Sequence, residues 1–72
     1  MTYELTNTEK IEIVTQHAKN VEYSLFNLSL SLIEEQAVVS PNAETIASLE
    51  AQIVQANAKK TALLAELSEL EG

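Results

Sequence analysis

The scarcity of chain-breaking residues is the feature that most constrains the fold. The only proline is Pro41, and the only glycine is Gly72 at the end of the sequence. A fold with many turns needs several such residues, because they supply the backbone angles that reverse a chain. The sequence is instead rich in Glu, Ala, Leu and Gln, which are good helix formers. It therefore predicts a few long helices, with a break near Pro41.

The segment LSLSL, residues 28–32, alternates apolar and polar residues as a half-buried strand does. No turn residue bounds it, since positions 8 to 39 contain neither Gly nor Pro. The segment also continues a series of apolar residues spaced alternately three and four apart, which is a heptad pattern. The members of that series are Ile11, Val14, Ala18, Val21, Leu25, Leu28 and Leu32. The heptad pattern favours one helix from about residue 7 to 38.

Signals for helix ends occur at both expected starts. Thr6-Asn7-Thr8-Glu9 matches the capping-box pattern, in which Thr6 and Glu9 bond each other's backbone N–H. Ser40 is a good N-cap, and Pro41 suits the first helical position because its missing N–H is not needed there. Glu44 would then lie in the first turn, where the helix dipole favours an acid. These signals predict a tight turn at Ser40-Pro41 and a second helix from about 41 to 71.

The second helix carries its own heptad series, interrupted only by Lys60. The members are Ile46, Leu49, Ile53, Ala56, Lys60, Leu63, Leu67 and Leu70. In an antiparallel pair joined at 40–41, residue i lies opposite residue 81 − i, and this rule aligns the two series, for example Leu28 with Ile53. The predicted fold class is therefore all-α: an antiparallel helical hairpin forming a single domain, 1–72, with residues 1–6 as an extended N-terminal lead-in.

Both helices have apolar residues outside these series. On the first helix they form a stripe of mainly large residues, here called the large stripe: Tyr23, Phe26, Leu30, Ile33 and Ala37. On the second helix they form the small stripe: Ala47, Ala51, Val54 and Ala58. Two helices bury one stripe each against one another, so these outer residues are predicted to form an interface. The alternative is that the helices bend and bury part of the stripes internally.

Charge suggests how two copies would meet. The sequence has eleven acidic residues and four basic ones, giving a formal net charge of −7. If two hairpins pair head-to-head around Leu30, the lysines of one copy approach acids near the loop of the other; the groups concerned are Lys19, Lys59 and Lys60, and Glu34, Glu35 and Glu44. We therefore expect a homodimer that forms a four-helix bundle. The alternative is that these acids are only solvated surface.

The sequence offers little for catalysis or for ligand binding. It has no Cys, and its one histidine, His17, lacks the Glu-x-x-His spacing of di-iron bundles. No glycine-rich loop is available to hold phosphate. Tyr23 and Phe26 have helical spacing, which is more typical of packing than of a ligand site. We expect a protein that is not an enzyme, with no catalytic residue, metal or cofactor.

The stretch EKIEIVTQHAKNVEYSLFNLSLSLIEEQAVVSPN, residues 9–42, followed by an Ala- and Gln-rich helix, resembles small helical proteins encoded by cyanobacterial myoviruses. The resemblance implies a phage accessory or structural protein located in the host bacterial cytoplasm. It supplies no activity and no functional residues. The sequence also lacks an apolar run long enough for a membrane span, and its start lacks the pattern of a signal peptide.

Three functions fit these observations. The first is a non-enzymatic interaction or assembly protein that self-associates. The second is a host-directed binder that sequesters a bacterial protein through the apolar Tyr23–Ala37 face. The third is an acidic nucleic-acid mimic. Binding of nucleic acid itself is not expected, because it requires clustered Lys and Arg.

Overall fold

The computed structural model describes residues 3–72, and within that range it contains two α-helices and no strand. Helix α1 spans Asn7–Ala37, and helix α2 spans Ala43–Glu71. The two helices pack along their length into an elongated body of 61 × 19 × 14 Å. The all-α hairpin predicted from the sequence is confirmed. The predicted lead-in includes residues 1 and 2, which lie outside the described residues.

The start of α1 is closed by the predicted capping box. The Thr6 backbone N–H donates to Oε1 of Glu9 over 2.9 Å, and the Glu9 N–H donates to the Thr6 hydroxyl over 3.2 Å. The bond from the Thr6 backbone N–H lowers the pKa of Glu9, with a further contribution from the Thr6 side chain. Because the folded pKa is the lower one, the stabilisation is complete above the ordinary glutamate range. It is lost as the pH falls through the lowered pKa.

Substitutions of Thr6 separate the two contributions to the Glu9 pKa. Thr6 has φ −73°, an angle that proline adopts, so Thr6→Pro removes both the N–H and the hydroxyl without straining φ at this position. Thr6→Ala removes the hydroxyl alone and lowers the free energy of unfolding by about 1 kcal/mol. We expect the pKa of Glu9, measured by NMR titration of its carboxyl carbon, to rise more in Thr6→Pro than in Thr6→Ala. Equal rises in the two variants would contradict the dominant role of the backbone N–H.

The connection between the helices differs from the predicted tight turn. Helix α2 begins at Ala43, with Asn42 rather than Ser40 as its N-cap, so Pro41 precedes the helix. The Asn42 side chain accepts a hydrogen bond from the Thr45 N–H at 2.9 Å. The carboxylate of Glu35 accepts the Asn42 N–H at 2.8 Å and so ties the loop back to α1. Asparagine caps a helix as well as serine does, and this extra bond is available to it. Glu44 remains in the first turn, as predicted.

The core is a single layer of side chains between the helices. Every member of the two predicted heptad series is half-buried or buried, which confirms that the two series form the contact between the helices, here called the seam. Only Ala56 is buried among the described residues, at 8% exposure. Neither α1 nor α2 is both long enough and apolar enough to cross a bilayer. The hairpin therefore has a continuous but thin core, open to solvent on both flanks.

Candidate interaction surface

One flank of the hairpin is a groove with a polar rim, here called the His17 groove. Its volume is about 480 Å³, and its lining residues are His17, Asn20, Val21, Ser24, Ala56, Lys59, Ala62 and Leu63. The lining shows which residues of each helix share this flank: His17 and Ser24 of α1 lie on the same side as Lys59 of α2. His17, which lies at the edge of the seam, is exposed.

The opposite flank is marked by an ion pair between Lys60 and Glu22. Lys60 occupies a seam position but its ammonium group leaves the seam on the side away from Lys59. A shallow groove of about 230 Å³ adjoins this pair and is lined by Lys19, Glu22, Tyr23 and Phe26. The large stripe therefore begins beside this ion pair.

The four large members of the large stripe are exposed. Tyr23, Phe26, Leu30 and Ile33 retain between 41% and 67% of their accessible surface. The alternative prediction, that the helices bend and bury part of the stripe internally, is therefore wrong for these four side chains. Ala37, the last member, is also exposed.

The small stripe is exposed as well. Val54 retains 67% of its surface, and Ala47, Ala51 and Ala58 are all solvent-accessible. Counting 100° per residue places the centre of the large stripe about 130° from the seam of α1 and the centre of the small stripe about 170° from the seam of α2. The large stripe is tilted toward the flank of the Glu22–Lys60 ion pair, because Glu22 lies between it and the seam. The small stripe lies almost directly opposite the seam, so each stripe forms an outer edge of the hairpin.

Residues of the large stripe and of the small stripe lie at matching positions along the long axis of the hairpin. The antiparallel register puts Leu30 level with Ala51 and Tyr23 level with Ala58. Phe26 is likewise level with Val54 to within one residue. The contact of Glu22 with Lys60 agrees with this register to within one residue. One hairpin therefore presents a ridge on α1 and a trough on α2 over the same stretch of its length.

Two exposed apolar residues in the loop were not among the predicted interface residues. Val38 retains 49% and Val39 all of its accessible surface. Both valines directly follow the large stripe in the sequence, which could have marked them as exposed apolar residues. The sequence analysis treated them only as the approach to the predicted turn. Because the helix ends at Ala37, both valines belong to the connection rather than to α1.

No described residues form a cluster of three or more His, Asp, Glu or Cys side chains that would hold a metal ion. Comparison of the chain with protein-family models, with curated proteins and with solved structures gives no match. The arrangement of the two stripes is therefore the feature from which a function has to be argued.

Proposed function

We propose that this protein is a non-enzymatic interaction and assembly protein whose hairpins self-associate through the two stripes. One observation carries the proposal: Tyr23, Phe26, Leu30 and Ile33 are exposed together on one edge of α1. Leaving a large apolar side chain in water instead of burying it forfeits about 1.5–3 kcal/mol. Contiguous apolar surface of this kind normally marks an interaction site.

Self-association is favoured over other partners because the chain supplies both kinds of surface. The large stripe needs a shallow apolar trough, and the small stripe is such a trough at the same height. The smallest closed assembly of such hairpins is a homodimer with four helices, the arrangement expected from the sequence. In the setting implied by the myovirus resemblance, the protein acts as a phage accessory or structural component in the bacterial cytoplasm.

The solution mass of the pure protein tests this proposal. A single chain has a mass of 7.9 kDa, and we expect sedimentation equilibrium at micromolar concentration to give a multiple of that value. Each copy carries a net charge of −7, so screening by salt should strengthen an association driven by apolar contact.

A hairpin that stays monomeric at both low and high salt would refute self-association. If a monomer also captured a bacterial protein in a manner abolished by Phe26→Glu, the host-directed binder would be the correct function. Acidic mimicry predicts the opposite salt response, because binding to a basic partner weakens steeply as salt rises.

A further inference from the structure

We infer that the contact between copies is heterologous: the large stripe of one hairpin packs into the small stripe of the next. This inference rests on the proposed self-association but replaces the two-fold homodimer, because a heterologous contact builds a ring or an open row of hairpins. The sequence alone suggested a head-to-head pairing around Leu30. The two-fold axis of such a pair would bring each stripe against its own copy. The positions of the stripes on the folded hairpin favour the pairing of unlike edges.

Side-chain size is the first reason. When two hairpins lie side by side with their loops at the same end, Leu30 faces Ala51 of the neighbouring copy, and Tyr23 faces Ala58. Tyr23 and Leu30 then each meet an alanine, and Phe26 meets Val54, so the helices keep a similar spacing along the contact. In the head-to-head pairing Leu30 meets Leu30 and Ala51 meets Ala51. One pair of helices would then be held apart while the other could approach closely, and the two hairpins would form a wedge.

The direction of the stripes is the second reason. In a square four-helix bundle each helix contacts neighbours in directions about 90° apart, whereas the stripe and the seam are about 130° apart on α1 and about 170° apart on α2. Tyr23 and Leu30 lie furthest from the seam and would remain on the outside of such a bundle. An edge-to-edge contact between α1 of one copy and α2 of the next covers them.

The length of the contact is the third reason. Side-by-side hairpins overlap along the whole paired part of α1, about 45 Å at 1.5 Å per residue. A head-to-head pair centred on Leu30 overlaps only from there to the loop on each side, about half that length. Stable interfaces bury roughly 800 Å² per partner, and a body only 19 Å wide reaches that area more readily with the longer overlap.

Cysteine cross-linking distinguishes the two pairings, because the natural chain contains no Cys. Two full-length variants, Leu30→Cys and Ala51→Cys, are oxidised separately and as a mixture in which one chain carries a mass label. A heterologous contact gives disulfides between unlike chains in the mixture and none in either variant alone. This follows because like positions lie two helices apart, beyond the 4.4–6.8 Å that a disulfide spans between Cα atoms.

The matched control is a mixture of Ser24→Cys and Lys59→Cys. These exposed positions both line the His17 groove, on the flank away from the large stripe, so no disulfide is expected. Disulfides between like chains, Leu30 to Leu30 or Ala51 to Ala51, would overturn the inference while leaving self-association intact. Absence of every disulfide in a protein that sediments as a multimer would also overturn it. A monomeric natural chain would instead refute the proposed function on which it rests.

Discussion

Phe26→Glu is expected to reduce the assembly to single hairpins. Phe26 lies in the middle of the large stripe with 65% of its surface exposed in the single chain, so its side chain is available for a partner. In the assembly the substitution would place an unpaired carboxylate in an apolar contact, and burying such a charge is strongly unfavourable. We expect the dissociation constant to rise at least roughly 100-fold, equivalent to about 3 kcal/mol. Sedimentation equilibrium should then give the mass of one chain.

Ser24→Glu is the matched control for this change. It adds the same charge two residues away on α1, at an exposed position that lines the His17 groove on the flank away from the large stripe. The control should keep the oligomeric mass of the natural protein, and its thermal midpoint should still rise with protein concentration. That concentration dependence should vanish in Phe26→Glu. If both variants dissociated, the added charge itself would be responsible; if neither did, the large stripe would not be the contact surface.

Lys60→Leu is expected to stabilise the hairpin by about 1–2 kcal/mol. Lys60 is the only charged residue in the α2 heptad series, and leucine there would extend the apolar seam. Full burial of a leucine side chain is worth about 1.5–3 kcal/mol, and a half-buried position provides part of this. The lost Lys60–Glu22 ion pair offsets little, because its side chains are 38% and 53% exposed and surface pairs contribute about 0–1 kcal/mol. Urea denaturation at one fixed protein concentration measures the change.

Lys59→Leu separates burial from the loss of a positive charge. Lys59 is the adjacent residue but lies on the rim of the His17 groove, outside the seam. We expect its substitution to change the free energy of unfolding by less than about 0.5 kcal/mol. Equal stabilisation in both variants would show that net charge, rather than the seam, controls the outcome. A loss of stability in Lys60→Leu would show that the ion pair contributes more than its exposure suggests.

The fold could be predicted from the sequence because its determinants are local or periodic. The bonds between Thr6 and Glu9 depend on residues three apart, and the seam repeats every seven residues. The start of α2 was predicted wrongly because two good caps, Ser40 and Asn42, compete within three residues. The Asn42 N–H also bonds the Glu35 carboxylate across the loop, a contact that no local pattern reveals.

The surface could be predicted only in part. Periodicity identified the residues of both stripes, since it depends on spacing within each helix. It did not reveal that the large stripe tilts toward the Glu22–Lys60 flank, because that depends on how the two helices rotate against each other. In the folded hairpin this rotation is shown by Lys59, which lines the His17 groove, and by Lys60, which pairs with Glu22 on the opposite flank.

The thin core affects how readily the protein would be degraded in a cell. With Ala56 as the only buried residue among those described, a solitary copy has little to hold it folded, and in the proposed assembly mass action from neighbouring copies would supply the remainder. Newly made chains would therefore be open to proteases until their number passes a threshold, after which they protect one another. Abundance would then respond to synthesis as a switch rather than in proportion to it.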